Sequence, residues 1–124
     1  MKSTQEVADV LVAACRKGDF ETPIKELYDQ NIVSIESEGA PVREIRGLEG
    51  VIEKGKKFAE MLEEMHGIEV SDPVVAENFF AVSMKMDVTF KGGPRTSMDE
   101  ICVYNVKDGK IIREEFFFTP MNPG

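Results

Sequence analysis

The chain has no tryptophan, a single histidine and only two cysteines among its 124 residues. Each shortage closes a class of chemistry. One histidine, with Cys15 and Cys102 far apart, does not supply the clustered nitrogen and sulfur donors of a specific transition-metal site, so no metal is expected. The cysteines have no redox spacing either and read as reduced, buried thiols. Basic residues are scarce: 15 Lys and Arg stand against 23 Asp and Glu, a net charge of −8. A phosphate-backbone binder needs a basic surface, so no nucleic-acid partner is expected. Long apolar runs are missing too. No stretch approaches the ~18 apolar residues of a membrane span, and the N-terminus lacks a basic region followed by an apolar one. The expectation is a cytoplasmic protein with no membrane partner. The glycines of Lys91-Gly92-Gly93-Pro94 fall between strand patterns rather than before a helix, so they make no phosphate loop, and no cofactor is expected. Ser34, Ser37, Ser83 and Ser97 have no histidine–acid partner at useful spacing, which leaves nucleophilic serine chemistry unsupported.

What is there is ordinary for a globular chain, 42% hydrophobic and 31% charged, and its length suits one domain over residues 1–124. Ser3-Thr4-Gln5-Glu6 fits a helix-starting capping box, followed by the stripe Val7, Val10, Leu11, Ala14, Cys15 up to Gly18. Thr22-Pro23 begins a short second helix with Ile24, Leu27 and Tyr28 inward. "NIVSIES" is a strand rich in β-branched residues, and "GAPVREIRG" reads as a loop. A third helix opens at Leu48 with the stripe Val51, Ile52, Gly55, Phe58, Ala59, Leu62, Met65 and ends near Gly67. Lys54, Lys56 and Lys57, flanked by acids, read as its solvated face. From Ile68 the period becomes two: Val82, Met84, Met86, Val88 and Phe90 alternate with polar residues. Asp72-Pro73 interrupts one strand, "KGGPR" joins two long ones, and "KDG" is a tight hairpin turn. The order predicts an α+β domain with helices segregated to one face of a sheet.

"KGDFE", "ELYDQNIVSIE", "RGLEGV" and "YNVKDGKIIREEFFF", in this order and at this spacing, resemble the SnoaL-like group of the nuclear transport factor 2-like, cystatin-related cone fold. The resemblance implies a curved antiparallel sheet wrapped around three N-terminal-half helices, a cone-shaped α+β barrel, with an apolar cavity open at one end. It implies a hydrophobic small-molecule ligand and a homodimer formed through the sheet. It does not select among isomerases, cyclases, dehydratases and non-catalytic carriers. On this basis the cavity is expected to be lined from the helical half by Leu11, Cys15, Tyr28, Phe58 and Leu62. From the strands, Met84, Met86, Cys102 and Phe117 complete it.

Ketosteroid isomerases on this fold use a first-strand carboxylate as base, with a tyrosine and a protonated acid as oxyanion donors. Matching the motifs puts the base at Glu36, but the tyrosine position falls on Leu11 and the second acid near Cys102, so that mechanism does not transfer. Glu100, Cys102 and Tyr104 share one parity, so if Cys102 faces the cavity, Glu100 and Tyr104 do as well. Glu36 as base, with Glu100 and Tyr104 as donors, is then a candidate catalytic set. Desolvation would raise the pKa of at least one of its carboxylates. The alternative leaves Glu36 and Glu100 at the wet rim or on the outer face, paired with Arg43, Lys85 or Arg113. A one-residue slip would bring Asp99 inward instead of Glu100. His66, after Glu63-Glu64, is either a helix-end cation or a proton-transfer group at the cavity mouth. On the last strand Ile112, Glu114, Phe116 and Phe118 share one face and Arg113, Glu115 and Phe117 the other, as expected where a sheet separates a pocket from an interface.

Overall fold

The structure, a computed structural model, describes residues 1–37, 40 and 42–119. Ser3 accepts from the Glu6 backbone while the Glu6 carboxylate accepts from the Ser3 backbone, and this capping box starts α1 (Thr4–Arg16). Its inner face is wider than the expected stripe, with Val7, Ala8, Leu11, Val12 and Cys15 buried. The second helix, α2 (Glu21–Leu27), begins earlier than Thr22-Pro23 suggests. The Asp19 carboxylate takes the Thr22 N–H at 3.1 Å and caps the first turn. Pro23 therefore sits inside that turn, where its missing N–H still costs nothing.

The first strand, β1 (Tyr28–Ile35), runs into β2 (Glu44–Arg46), a short edge strand inside the stretch expected to be loop. Gly39 and Pro41 of that stretch lie outside the described residues. Gly50 lets α3 (Leu48–Met61) press onto this edge, since a Cβ there would meet the Ile45 side chain at 2.7 Å. At Gly55 a Cβ would only make ordinary contact with Ile24, so no close approach depends on it. The third helix stops at Met61, not near Gly67. Leu62 through Val70 form β3, and His66 is a strand residue. Leu62, Met65 and Ile68 are its partly buried positions, so helix and strand bury the same side of the chain.

After the short β4 (Val74–Ala76), the long strands β5 (Phe79–Phe90) and β6 (Arg95–Lys107) pair antiparallel. Asp108 and Gly109, both at positive φ, turn the chain into β7 (Lys110–Phe117). The class is α+β, as expected, with a curved, unclosed sheet in the order β2-β1-β7-β6-β5-β3 and β4 beside β5. One pairing departs from an antiparallel sheet: β1 lies parallel to β7, placing Ser34 beside Glu114. The inner face carries Phe80, Val82, Met84, Met86 and Val88 from β5, against the buried sides of α1 and α2. A register shift in β7 puts both Ile111 and Glu114 inward, so the expected grouping of Ile112 with Glu114 breaks at that irregularity. No described helix is long and apolar enough to cross a membrane.

Candidate functional site

Helices and sheet do not close on each other completely. A cavity of about 930 Å³ remains between them. Leu11, Cys15, Tyr28, Phe58, Leu62, Met84 and Met86 line it, as do Met65, Met98, Phe116 and Phe118. Methionines adapt to irregular apolar ligands, and four of them face this space. Two expected lining residues are elsewhere. Phe117 falls on the outer face of β7, 47% exposed, because strand parity sends Phe116 inward. Cys102 is fully buried behind the wall, its thiol 3.6 Å from the Glu100 carboxylate.

The polar groups gather at one part of the wall, and strand register explains how. Met84 pairs with Glu100, Tyr104 with Glu114, and Glu114 with Ser34 across the parallel β7–β1 ladder. Tyr28, Ile32 and Ser34 are the buried positions of β1, and Glu36 continues the parity of the last two into the cavity lining. Glu100 is the inward residue of the Asp99-Glu100 pair, and Asp99 is exposed.

Glu114 is 3% exposed and accepts two hydroxyl hydrogen bonds, one from Tyr28 and one from Ser34 at 2.7 Å. Burial pushes its pKa up, and the bonds from Tyr28 and Ser34 and the nearby Lys54 charge oppose the rise. Tyr104 is buried and stacks on Phe80 at 4.7 Å. Desolvation holds both tyrosine hydroxyls, Tyr28 and Tyr104, in the protonated donor form, well above the usual phenolic range. The same cause raises Cys15 and Cys102, which makes these free thiols poor nucleophiles.

Glu100 differs from the other acids. Burial raises its carboxyl to about 7, the Cys102 hydrogen bond and Lys54 pull the other way, and Glu36 and Glu114 add to the rise. A carboxyl with that value exchanges its proton at neutral pH, which is where general acid–base chemistry works best.

Glu36 is paired, but not with Arg43, Lys85 or Arg113. Its carboxylate meets the Lys54 ammonium. The Arg43 side chain donates to the Glu36 backbone carbonyl rather than to its carboxylate, and Arg113 pairs with Glu115. Lys54 is therefore a site residue, not part of a solvated face. Its signal was in the spacing, because Val51, Lys54, Gly55 and Phe58 fall on one side of a helix. Glu114 was harder to find, since its partners come through a parallel pairing between distant segments. His66 lies away from the cavity, with Nδ1 3.2 Å from Glu64 and Nε2 2.8 Å from the Thr89 hydroxyl. Its strand position removes the helix-end role. Among the described residues no group of three or more His, Cys, Asp and Glu could hold a metal ion.

The SnoaL-like domain profile matches residues 2–118. A Mesorhizobium loti protein described as a candidate SnoaL-like polyketide cyclase is 32% identical over 94% of this chain and 100% of its own, with a TM-score of 0.88. A Burkholderia thailandensis protein described as NTF2-like is 16% identical, covers 96% of this chain and 92% of its own, and has a TM-score of 0.82. TerC, crystallised with polyporic acid, is 20% identical, covers 94% and 92%, and has a TM-score of 0.74. Comparison with curated proteins finds no match. A family profile over nearly the whole chain and a full-length relative agree, and the chain belongs to the SnoaL-like family.

Proposed function

We infer that the protein binds a small hydrophobic, carbonyl-bearing molecule and catalyses proton transfer on it, as an isomerase, cyclase or dehydratase does. The observation that carries this reading is Glu100, a cavity carboxyl whose pKa of about 7 suits both giving and taking a proton. Glu36 stays in the catalytic set as the second carboxylate, oriented by Lys54, and Tyr104 as a phenolic donor at the wall. Because Glu36 already has a cation, Glu100 is the freer proton carrier of the two.

The test is proton exchange on an enolisable apolar ketone. With 2-tetralone in deuterated buffer, the wild-type protein is expected to accelerate deuterium uptake beside the carbonyl. Glu100→Gln is expected to lower that rate by about 10²–10⁴-fold, the usual worth of a positioned acid–base group. Unchanged exchange in the variant removes Glu100 from the mechanism. Tight binding of such ketones without any exchange selects the second reading, a non-catalytic carrier or interaction module. That reading draws on Leu11 and Cys102, which stand where related isomerases place donors.

A homodimer through the outer sheet face is part of this proposal, and the free thiols suit a cytoplasmic setting. Ile101 and Phe117 are direct cross-strand partners, each 47% exposed, and Phe79 is 51% exposed on β5 of the same sheet. Burying each such side chain is worth roughly 1.5–3 kcal/mol, enough for a paired face to matter. Light scattering at micromolar concentration is expected to give twice 13.9 kDa. Phe117→Glu is expected to return the monomer mass, whereas a monomeric wild type removes the dimer.

A further inference from the structure

The cavity holds one cation that its own wall does not need for folding contacts elsewhere. Of the basic residues lining it, Arg16 is committed to the Val70 carbonyl and Asp72, while Lys17 and Lys56 are exposed. Lys54 alone among them brings its ammonium inside, its side chain 31% exposed. Three contacts fix it there. It pairs with Glu36, donates to the Ser34 hydroxyl at 3.4 Å, and lies 4.6 Å over the Phe116 ring. An ammonium carries three N–H donors, and one carboxylate and one hydroxyl occupy two of them. Phe116 fixes the charge without supplying a counter-anion. The charged groups that act on it are the carboxyls of Glu36, Glu100 and Glu114, so at this part of the wall Lys54 is the cation an acidic ligand oxygen would meet.

We propose that Lys54 is the ligand's anchor, taking an ionised oxygen (enolate, phenolate or carboxylate) of an apolar molecule seated against the methionines. The assignment rests on the small-molecule reading above and narrows it to organic acids. Glu36 acts here as a competitor and positioner: it holds the ammonium in place in the empty cavity and shares it when an anion enters. Removing the two members of the pair therefore has opposite consequences, which a purely structural ion pair does not predict.

Two probes of matched shape test it, 2-hydroxy-1,4-naphthoquinone, an anion at neutral pH, and its neutral 2-methoxy counterpart, with affinities read by calorimetry. Wild type is expected to favour the hydroxy probe by about tenfold to a hundredfold, the range of a charge-assisted hydrogen bond. Glu36→Gln is expected to increase that preference, because Lys54 loses its competing anion. Lys54→Met combined with Glu36→Gln, which leaves neither partner unpaired, is expected to abolish the preference while the methoxy probe still binds. Lys57→Met, on the exposed side of α3, is expected to change nothing. Preference retained in the double variant, or equal binding of both probes to wild type and Glu36→Gln, overturns the role of Lys54 and leaves the proton-exchange assay standing. Failure of both probes to bind any variant removes the ligand-pocket reading itself.

Discussion

Glu100→Gln is expected to melt on the order of 10 °C higher than wild type at pH 8.5 and within a degree or so of it at pH 4. The unfolded carboxyl titrates near 4.5 and the folded one at about 7, with burial as the first cause. Between those values the native protein keeps a proton that the unfolded chain has lost, so stability falls as pH rises. The favourable share is complete below the unfolded value and gone once pH passes the folded one. For a partly solvated group the difference amounts to about 2–3 kcal/mol. Glutamine has no proton to lose, so the variant should keep its stability through the same range. Paired thermal melts at the two pH values decide the matter, and parallel losses in both proteins would show that Glu100 ionises without penalty. A site that destabilises the native state at neutral pH is the usual sign of a residue kept for function.

The second large effect concerns Glu114. Glu114→Ala should lower stability by about 3–5 kcal/mol, because two hydroxyls lose their buried acceptor and the side chain leaves a void. Glu114→Gln should cost far less, since the amide oxygen still accepts one of those hydroxyl bonds and no charge needs burial. Above neutral pH it should approach or exceed wild type, for the same proton-linkage reason as Glu100, the shift being upward and caused by desolvation. Urea unfolding of the two variants at pH 6 and pH 8.5 measures both claims. Equal destabilisation by alanine and glutamine would mean that the Tyr28–Glu114–Ser34 cluster depends on the charge, not on the hydrogen bonds.

Strand parity made much of this site readable before any coordinates. Alternation along β5 placed Met84 and Met86 inward, and common parity tied Glu100 to Tyr104 while leaving open whether that face or the face of Asp99 was the inner one. Local signals worked wherever their physics is local: the Ser3–Glu6 box, the Asp108-Gly109 turn, the break at Asp72-Pro73. They failed where burial alone does not specify geometry. Leu62 and Met65 extend the apolar period of α3 without being helical, because the strand that follows buries the same side. The irregularity in β7 moved Ile111 onto the face of Glu114, which strict alternation cannot show. Ser34 met Glu114 only through the parallel β1–β7 pairing, a contact between segments 80 residues apart. Lys54 was legible in position but hidden by its type, since a lysine among acids on a helix is ordinarily a solvent residue.

The account turns on Glu100 being a proton-exchanging carboxyl inside a ligand cavity, and its titration can be watched directly. Following the side-chain carboxyl carbon of Glu100 by ¹³C NMR across pH 3–10, with Glu100→Gln to assign the resonance, gives its pKa in the folded protein. The structure predicts a midpoint of about 7. A midpoint at the ordinary value near 4.5 would mean that Glu100 is solvated and permanently charged, and would contradict the site described for it.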